Sequence, residues 1–449
     1  MDDRVNHDSI GWFGIFRLGL IQAALGAIVI LTTSTLNRVM VVELALPAIL
    51  PGALVGWHYA VQLSRPRWGY GSDVGGARAP WIIGGMMTLA IGAVSAAVAT
   101  ALMAQNPSAG IVAAVISFFI IGVGVGAAGT NQLALLATHT KPSRKSAAAA
   151  ITWIMMIIGF IITAGVAGAM LDPFSMLRLI QVTATVSVIA VIVSAIAVWG
   201  LEGRRRAAPR ISEADEKPSF IVILKEVWAD QQARRFTIFV LVSMLAYSAQ
   251  DLILEPFAGM VYDYTPGEST SLAATQNMGV LLGMIVTAIL GTVVGKSRAR
   301  FMRQWTVVGC FSSAAALAAL CMAALVGPSW PLKPSVFALG LANGVFAVSA
   351  IGSMMTLASA GQKGREGTRM GLWGGAQAIS FGIGGFIGAS ALDLTRIVYA
   401  EIGPAFATVF AAEGLLFLVA AVCAARVGTS SSDEMKLPAL PAGDIVPAE

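Results

Sequence analysis

The sequence places a few ionisable side chains inside long apolar stretches, where each could do chemistry. They are Arg38, Glu43, His58, Asp251, Glu255 and Glu413. A charged side chain at the centre of a bilayer costs about 2.5 kcal/mol or more, so it needs a partner, water or a function there. Buried carboxylates can bind protons or cations or receive the polar headgroup of a ligand, and a neutral imidazole can bind a metal ion.

Asp251 and Glu255 are four residues apart and are followed directly by Pro256. The spacing puts both carboxylates on one face of a helix, and the proline predicts that the helix bends or ends there. Such a pair near the outer leaflet can serve proton coupling, cation binding or the docking of a polar headgroup. A pair that is exposed to water at the interface, or that Arg38 neutralises, fits the same residues.

The segment from Asn37 to Glu43 lies where the first apolar stretch gives way to the second. Arg38 and Glu43 can pair with each other there, or they can bracket the outer mouth of a passage between helices. Glu413 lies in the last apolar stretch, and we expect it to make a hydrogen bond between helices.

His58 stands in an otherwise apolar stretch, and two roles fit it. A neutral imidazole that faces lipid or a cavity can bind the magnesium of a chlorin. A lone histidine in a membrane helix is more often a hydrogen-bonded packing residue, and we favour this role. No other metal site is predicted, because the three cysteines lie in apolar runs without the spacing of metal ligands.

The chain carries no sequence motif that is typical of an enzyme. It lacks the Gly-x-Ser-x-Gly elbow, the Walker loop and the His-Glu-x-x-His pair. With three histidines, a histidine-based catalytic cluster is not expected, and the Asp-rich motifs of prenyltransferases are missing. We therefore predict that the protein has no catalytic residues and is not an enzyme.

The elements that must position these residues are about twelve apolar stretches of roughly twenty residues each. Their predicted bounds are 14–34, 43–63, 81–103, 109–137, 147–170, 177–199, 235–257, 271–295, 302–326, 335–360, 370–391 and 404–426. Hydrophobic residues make up 57% of the 449-residue chain, charged residues only 12%, and the mean hydropathy is +0.78. These values exclude a soluble domain and predict an all-α, polytopic membrane protein.

The basic residues predict how the chain is oriented in the membrane, because loops rich in Lys and Arg remain in the cytoplasm. Of the 29 Lys and Arg residues, only four fall in the predicted outer loops or their flanks. These four are Arg38, Arg178, Lys333 and Arg396. Both termini are then cytoplasmic, and the net charge of +5 indicates contact with anionic lipid rather than with nucleic acid.

A charged interruption at 201–233 divides the apolar stretches into two sets of six. We predict an N-terminal six-helix bundle over 1–200, a cytoplasmic linker over 201–233 and a C-terminal six-helix bundle over 234–426. The tail 427–449 is rich in Ser, Pro, Ala and acidic residues, so we expect it to be disordered and cytoplasmic.

The two halves also share local features, which indicates an internal duplication. The basic loop 141–145 leads into a stretch that contains Trp153, and the basic loop 363–369 leads into one that contains Trp373. Parallel halves fit a major-facilitator-like 12-helix fold, made of two six-helix bundles, better than an inverted five-helix repeat.

The loop 69–78 resembles the signature loop of major facilitators. The residues that match are Gly69, Asp73, Gly76 and Arg78. Val74 and Ala77 stand where basic residues are usual, which weakens the charge relay of the loop. The resemblance implies that the four matching residues form a conformational latch between helix ends at the cytoplasmic face. A glycine-rich turn with one capping Asp is the alternative.

Four strings carry a more specific resemblance. They are Thr35 to Leu44, Arg65 to Trp81, Gln250 to Pro256 and Gly371 to Ala378. Together they are similar to the PucC/LhaA group, a branch of the major facilitators in phototrophic bacteria, and the similarity extends over nearly the whole chain. The strings Gln-Asp-x-x-Leu-Glu-Pro and Leu-Trp-Gly-x-Ala-Gln are specific to this branch.

The resemblance implies a membrane assembly factor for bacterial light-harvesting antenna complexes, which brings bacteriochlorophyll, antenna polypeptides or both together. Expected partners are antenna polypeptides, the lipid bilayer, and bacteriochlorophyll, bound as a client, or its synthesis machinery. The expected location is the bacterial inner membrane, in its intracytoplasmic photosynthetic part. The candidate residues for binding pigment or substrate are Asn37, Arg38, Glu43, His58, Gln250, Asp251, Glu255, Trp373 and Gln377.

A second hypothesis is an alternating-access carrier, with or without coupling to protons, that moves a tetrapyrrole or another amphipathic solute. A carrier predicts a polar central cavity from which Asp251 or Glu255 can be reached. A scaffold predicts that pigment and antenna polypeptides purify together with the protein while the carboxylates stay peripheral.

Overall fold

The computed structural model describes residues 10–65, 68, 77–141, 144–201, 229, 231–293, 298–359 and 366–427. These residues form helices joined by short loops, and no strand occurs among them. An apolar segment in a bilayer must satisfy its backbone hydrogen bonds internally, which a helix does and an open strand does not. The predicted all-α class is confirmed.

Twelve helices run through the described residues. They are α1 (Trp12–Glu43), α2 (Ile49–Val61), α3 (Ala79–Met103), α4 (Pro107–His139), α5 (Lys145–Leu171), α6 (Met176–Val198), α7 (Gln231–Asp251, with a short continuation Leu254–Tyr262), α8 (Pro266–Val293), α9 (Arg298–Val326), α10 (Leu332–Ser359), α11 (Glu366–Val398) and α12 (Ile402–Arg426). All except α2 are long and apolar enough to cross a membrane, so the protein is a multi-pass membrane protein.

The border between the first two predicted stretches is wrong. The first helix does not end near residue 34 but continues to Glu43, and α2 begins only at Ile49. No proline occurs between residue 34 and Pro47, so no helix breaker ends α1 before Glu43. Two π-helical segments, Leu31–Thr35 and Val39–Glu43, widen its last turns. Arg38 and Glu43 therefore both belong to α1.

The helices pack in two sets with the same internal arrangement. In the first set α1 packs on α5 and α6, α3 packs on α4 and α6, and α2 packs on α4. Each of these pairs recurs six helices later, as α7 on α11 and α12, α9 on α10 and α12, and α8 on α10. This repetition indicates an internal duplication with parallel halves.

Two extensive helix pairs join one set to the other. They are α2 with α11 and α5 with α8, which exchange places under the same shift of six helices. Glycines allow close approach within the second set, since a Cβ added at Gly384 of α11 would lie 2.0 Å from the Ser248 Oγ of α7. At this position α11 packs closely against α7 inside the molecule.

The boundaries 1–200, 201–233, 234–426 and 427–449 remain predictions. Residues 202–228 of the predicted linker and residues 428–449 of the predicted tail lie outside the described residues.

Candidate functional site

Polar residues from both sets of helices meet where α1 ends, α7 breaks and α8 begins. We call this group the interface cluster. It consists of Ser34, Thr35, Asn37, Arg38 and Glu43 of α1, Glu255 of the α7 continuation, and Ser269 and Thr270 of α8. A direct contact within it is a buried 3.1 Å hydrogen bond between the hydroxyls of Thr35 and Thr270.

Asn37 supplies a hydrogen bond that the break in α7 has left unmade. In an uninterrupted helix the carbonyl of Leu252 would accept from the N–H of residue 256, but Pro256 has none. The Asn37 Nδ2 donates to this carbonyl at 2.7 Å, while the next carbonyl, that of Ile253, accepts from Phe257 N at 2.9 Å. The strings at 35–44 and 250–256, which are far apart in the sequence, are therefore in direct contact.

Arg38 is only 2% exposed, and its guanidinium makes one hydrogen bond within its own bundle and one to the other bundle. One terminal nitrogen donates to Glu43 Oε1, and the other donates to the carbonyl of Tyr264, which follows the α7 continuation. Residues five apart point to different sides of an α-helix, but the π-helical turn over Val39–Glu43 brings them onto the same side. The Arg38–Glu43 pair that the sequence allowed is thus present, with the Glu43 side chain 33% exposed.

Glu255 is the carboxylate of the cluster that has no hydrogen bond among the described residues. It is 2% exposed, and neither carboxylate oxygen has a hydrogen-bond partner among the described residues. Its polar neighbours are the hydroxyls of Ser34, Ser269 and Thr270, and the positive guanidinium of Arg38 attracts its negative charge.

The helix breaks between Asp251 and Glu255, in line with the bend or end that Pro256 predicts, so the two carboxylates do not share one continuous helix face. The helix ends at Asp251 and restarts at Leu254, because the proline removes one rung of hydrogen bonds. Asp251 is partly exposed. Its charge interacts with the side chains of Tyr59 of α2 and Tyr247 of α7, not with the interface cluster. The two carboxylates therefore have different surroundings.

Two further polar side chains of the second bundle are buried without a partner. Gln250 is fully buried, and neither atom of its side-chain amide has a hydrogen bond among the described residues. The same holds for both oxygens of Glu413, so the expected hydrogen bond between helices is not formed.

His58 lies in α2, apart from the interface cluster. It is 2% exposed, its Nε2 is 2.8 Å from Gln62 Nε2, and Arg65 donates to the amide oxygen of Gln62. Its Nδ1 has no hydrogen-bond partner among the described residues. This setting supports the packing role, since a chlorin could reach the ring only after local rearrangement.

An apolar groove lies between α2 and α11, where the two sets of helices meet. Its volume is about 460 Å³. The walls include Gly56, Trp57 and Tyr59 of α2, and Ala378, Gly382 and Phe386 of α11. The half-buried Gln377 precedes Ala378 on α11, and Trp373 lies one turn earlier on that helix, its side chain outside the described residues. The string that contains these two residues is thus next to the groove.

The predicted latch falls mostly on residues whose structure is not described. Gly69, Asp73 and Gly76 lie outside the described residues, and Arg78 occupies the position directly before α3. The latch remains a prediction.

Asp393 is a positioning residue that the sequence reasoning missed. Its carboxylate, near the end of α11, accepts from the backbone N–H of Ala48 at 2.9 Å and of Ile49 at 2.7 Å, where α2 begins. The residues before α2 offer no Ser, Thr, Asp or Asn to do this. That lack of a local cap was a signal in the sequence. The Asp172 carboxylate, directly after α5, lies close to Gly267 at the start of α8.

The fold is that of major-facilitator membrane transporters. A peptide transporter solved in complex with sulfate matches with a TM-score of 0.65 at 15% identity, over 95% of this chain and 98% of that one. A bacterial homologue of the human lysosomal transporter Spinster, in an inward-facing and occupied conformation, matches with a TM-score of 0.64 at 16% identity, over 91% and 95% of the two chains. The predicted fold class is confirmed.

Sequence comparisons narrow the class to one family. Residues 35–432 match the family described as PUCC protein. The chain is 49% identical over 438 residues to "Bacteriochlorophyll synthase 44.5 kDa chain" of Rhodobacter capsulatus, covering 97% of this chain and 100% of that one. It is 29% identical to "Protein PucC" of the same organism, over 90% of each chain. The chain belongs to the PUCC family.

Proposed function

We propose that the protein is an assembly factor for bacterial light-harvesting antenna complexes that brings bacteriochlorophyll, antenna polypeptides or both together. Membership of the PUCC family supports this role, and the name of the 49% identical relative connects that protein with bacteriochlorophyll, although it is the name of a synthase chain. The proposal includes a non-enzymatic role, residence in the intracytoplasmic photosynthetic membrane and cytoplasmic termini. Its partners are the antenna polypeptides and bacteriochlorophyll or its synthesis machinery.

The α2–α11 groove is the observation that carries the proposal. Its walls are apolar, and its volume of about 460 Å³ lies in the range of ligand sites, roughly 300–1,000 Å³. Three turns of an α-helix with its side chains would fill on the order of 1,000 Å³, because such a helix is about 10–12 Å wide. The groove therefore suits the hydrocarbon tail of an amphipathic pigment better than an antenna helix.

Two polar side chains, one in the wall of the groove and one next to it, also suit an amphipathic client. Tyr59 brings a phenol to the wall, and Gln377 brings an amide next to it. A few polar groups around an apolar site fix the orientation of a ligand. The Leu-Trp-Gly-x-Ala-Gln string would then hold the polar part of the pigment.

The test is the absorption spectrum and polypeptide content of the purified native complex. We expect bacteriochlorophyll and antenna polypeptides to purify with the wild-type protein. Ala60 is exposed and lines the groove, so Ala60→Phe should fill it and lower the bound pigment several-fold. Ala315→Phe, on the exposed face of α9, is the matched control and should keep the pigment. Equal pigment in both variants would contradict the proposal.

A carrier of an amphipathic solute is the second candidate, favoured by the transporter fold and by Asp251 near Tyr59 and Tyr247, between the two sets of helices. It predicts time-dependent uptake of a tetrapyrrole into vesicles that contain the protein, and loss of that uptake in Asp251→Ala. Pigment binding without uptake would exclude the carrier and support the assembly role.

A further inference from the structure

The interface cluster contains one positive side chain and two carboxylates. Arg38 binds Glu43 with one terminal nitrogen and the Tyr264 carbonyl with the other. Glu255 has no hydrogen-bond partner among the described residues, although the guanidinium of Arg38 acts on it. If both carboxylates were ionised, the group would carry one uncompensated negative charge.

The uncompensated negative charge would lie on Glu255, the more deeply buried of the two carboxylates. Glu43 is 33% exposed and can be hydrated, whereas Glu255 is 2% exposed. Transferring an isolated carboxylate into a medium of low dielectric constant is so unfavourable that the group becomes neutral instead. The hydroxyls of Ser34, Ser269 and Thr270 lie near this carboxyl group, and a hydroxyl can accept from its protonated form or donate to its ionised form.

We propose that Glu255 is a proton-binding site at the junction of the two bundles. In the protonated state Arg38 pairs with Glu43, the pairing that this structure shows. When Glu255 releases its proton to solvent, Arg38 turns from Glu43 to Glu255, and Glu43 becomes hydrated at the surface.

The geometry allows this exchange of partners. The Nε of Arg38 is buried without a hydrogen-bond partner among the described residues, so the guanidinium has a free donor. In the part of the chain that the structure describes, three other acidic groups lie at the adjoining helix ends: Glu268 at the start of α8 accepts from Thr265 N at 2.9 Å, Asp172 lies next to Gly267, and Asp263 follows the α7 continuation. Arg38 is thus the charged group that is placed to answer a change at Glu255.

The exchange moves an ion pair from within one bundle to between bundles. Arg38–Glu43 lies within α1, whereas Arg38–Glu255 would join α1 to the continuation of α7. The protonation of Glu255 would therefore alter how firmly the bundles are held together at this end. This inference does not depend on which client the protein serves.

The experiment is infrared difference spectroscopy of the protein in lipid nanodiscs, which reports the C=O stretch of protonated carboxyl groups. Glu255→Gln should remove one such band from the wild-type spectrum. The matched variant Glu413→Gln removes another buried, unpartnered carboxyl and should leave the Glu255 band in place. An unchanged spectrum in Glu255→Gln would overturn the proposal.

The decisive variant is Glu43→Gln, which releases Arg38 without touching Glu255. We expect the Glu255 band to disappear, because the freed guanidinium then stabilises the ionised carboxylate. Persistence of the band would overturn the exchange. Should Glu43→Gln fail to fold, the wild-type minus Glu255→Gln spectrum across pH decides the matter, since the band must vanish as the pH rises.

Sodium ion is the competing ligand, and a separate arm tests it. With NaCl as the probe, a sodium site would show an ionised carboxylate at every pH and a thermal stability that rises with sodium in the wild type but not in Glu255→Gln. That outcome would overturn the proton proposal.

Discussion

At the residue scale, the Leu252 carbonyl shows how one local defect is repaired from a distant part of the chain. Pro256 removes the donor that a helix would supply, and the Asn37 side chain replaces it at 2.7 Å. A buried carbonyl without a partner is unfavourable, so this replacement stabilises the contact between α1 and α7. It also gives a physical reason for Asn37 and Pro256 to occur together.

We expect Asn37→Ala to lower the free energy of unfolding by roughly 1–3 kcal/mol, because the Leu252 carbonyl then remains unpaired in the interior. The measurement is reversible or thermal unfolding in detergent. Asn131→Ala is the control, since Asn131 donates 2.8 Å to Ala127, a carbonyl within its own helix that keeps a backbone partner. An equal loss in both variants would contradict the role assigned to Asn37.

At the element scale, the start of α2 depends on a carboxylate from α11. A helix leaves its first backbone N–H groups without partners, and Asp393 accepts from two such groups across the junction of the bundles. In the other half the Asp172 carboxylate, directly after α5, also lies close to the start of α8, at Gly267. The second helix of the first half is thus held at its start by the fifth helix of the second half.

Asp393→Ala should destabilise the protein by about 0.5–2 kcal/mol, the usual effect of losing a helix cap. Asp393→Asn keeps one acceptor oxygen and should show a smaller loss. Both values come from unfolding of the purified variants, compared with the wild type at one pH. Wild-type stability in Asp393→Ala would show that the cap is dispensable.

At the scale of the whole molecule, the number of membrane crossings depends on α2. Its 13 residues span about 20 Å, less than the hydrocarbon core of about 30 Å, so length alone leaves it short. It nevertheless packs between α4 and α11, like its counterpart α8 between α10 and α5. The segment before Ile49 and the 3₁₀ turn Gln62–Ser64 extend its reach.

We therefore expect twelve crossings, with both termini at the cytoplasmic face. Protease-sensitive tags at the two ends should be cleaved in inside-out vesicles and protected in right-side-out vesicles. Eleven crossings would place the tags on opposite sides, so cleavage of only one tag in each preparation would exclude a spanning α2.

The sequence by itself determined where the helices lie and that they cross a membrane, because burial of apolar side chains and satisfaction of backbone hydrogen bonds are local properties. It also identified Asn37, Arg38, Glu43 and Glu255 as residues of interest. The end of α1 was predicted too early, because Asn37 and Arg38 interrupt the apolar run although no proline or glycine ends the helix there.

Only the tertiary structure decided which polar groups meet. The break at Leu252 places Asp251 and Glu255 in different surroundings. The π-helical turn brings the side chains of Arg38 and Glu43 together. Asp393 finds α2 only because α11 lies beside it. A partner for a buried charge depends on which helices are neighbours and on where a backbone rung is missing, and neither can be deduced from spacing along one helix.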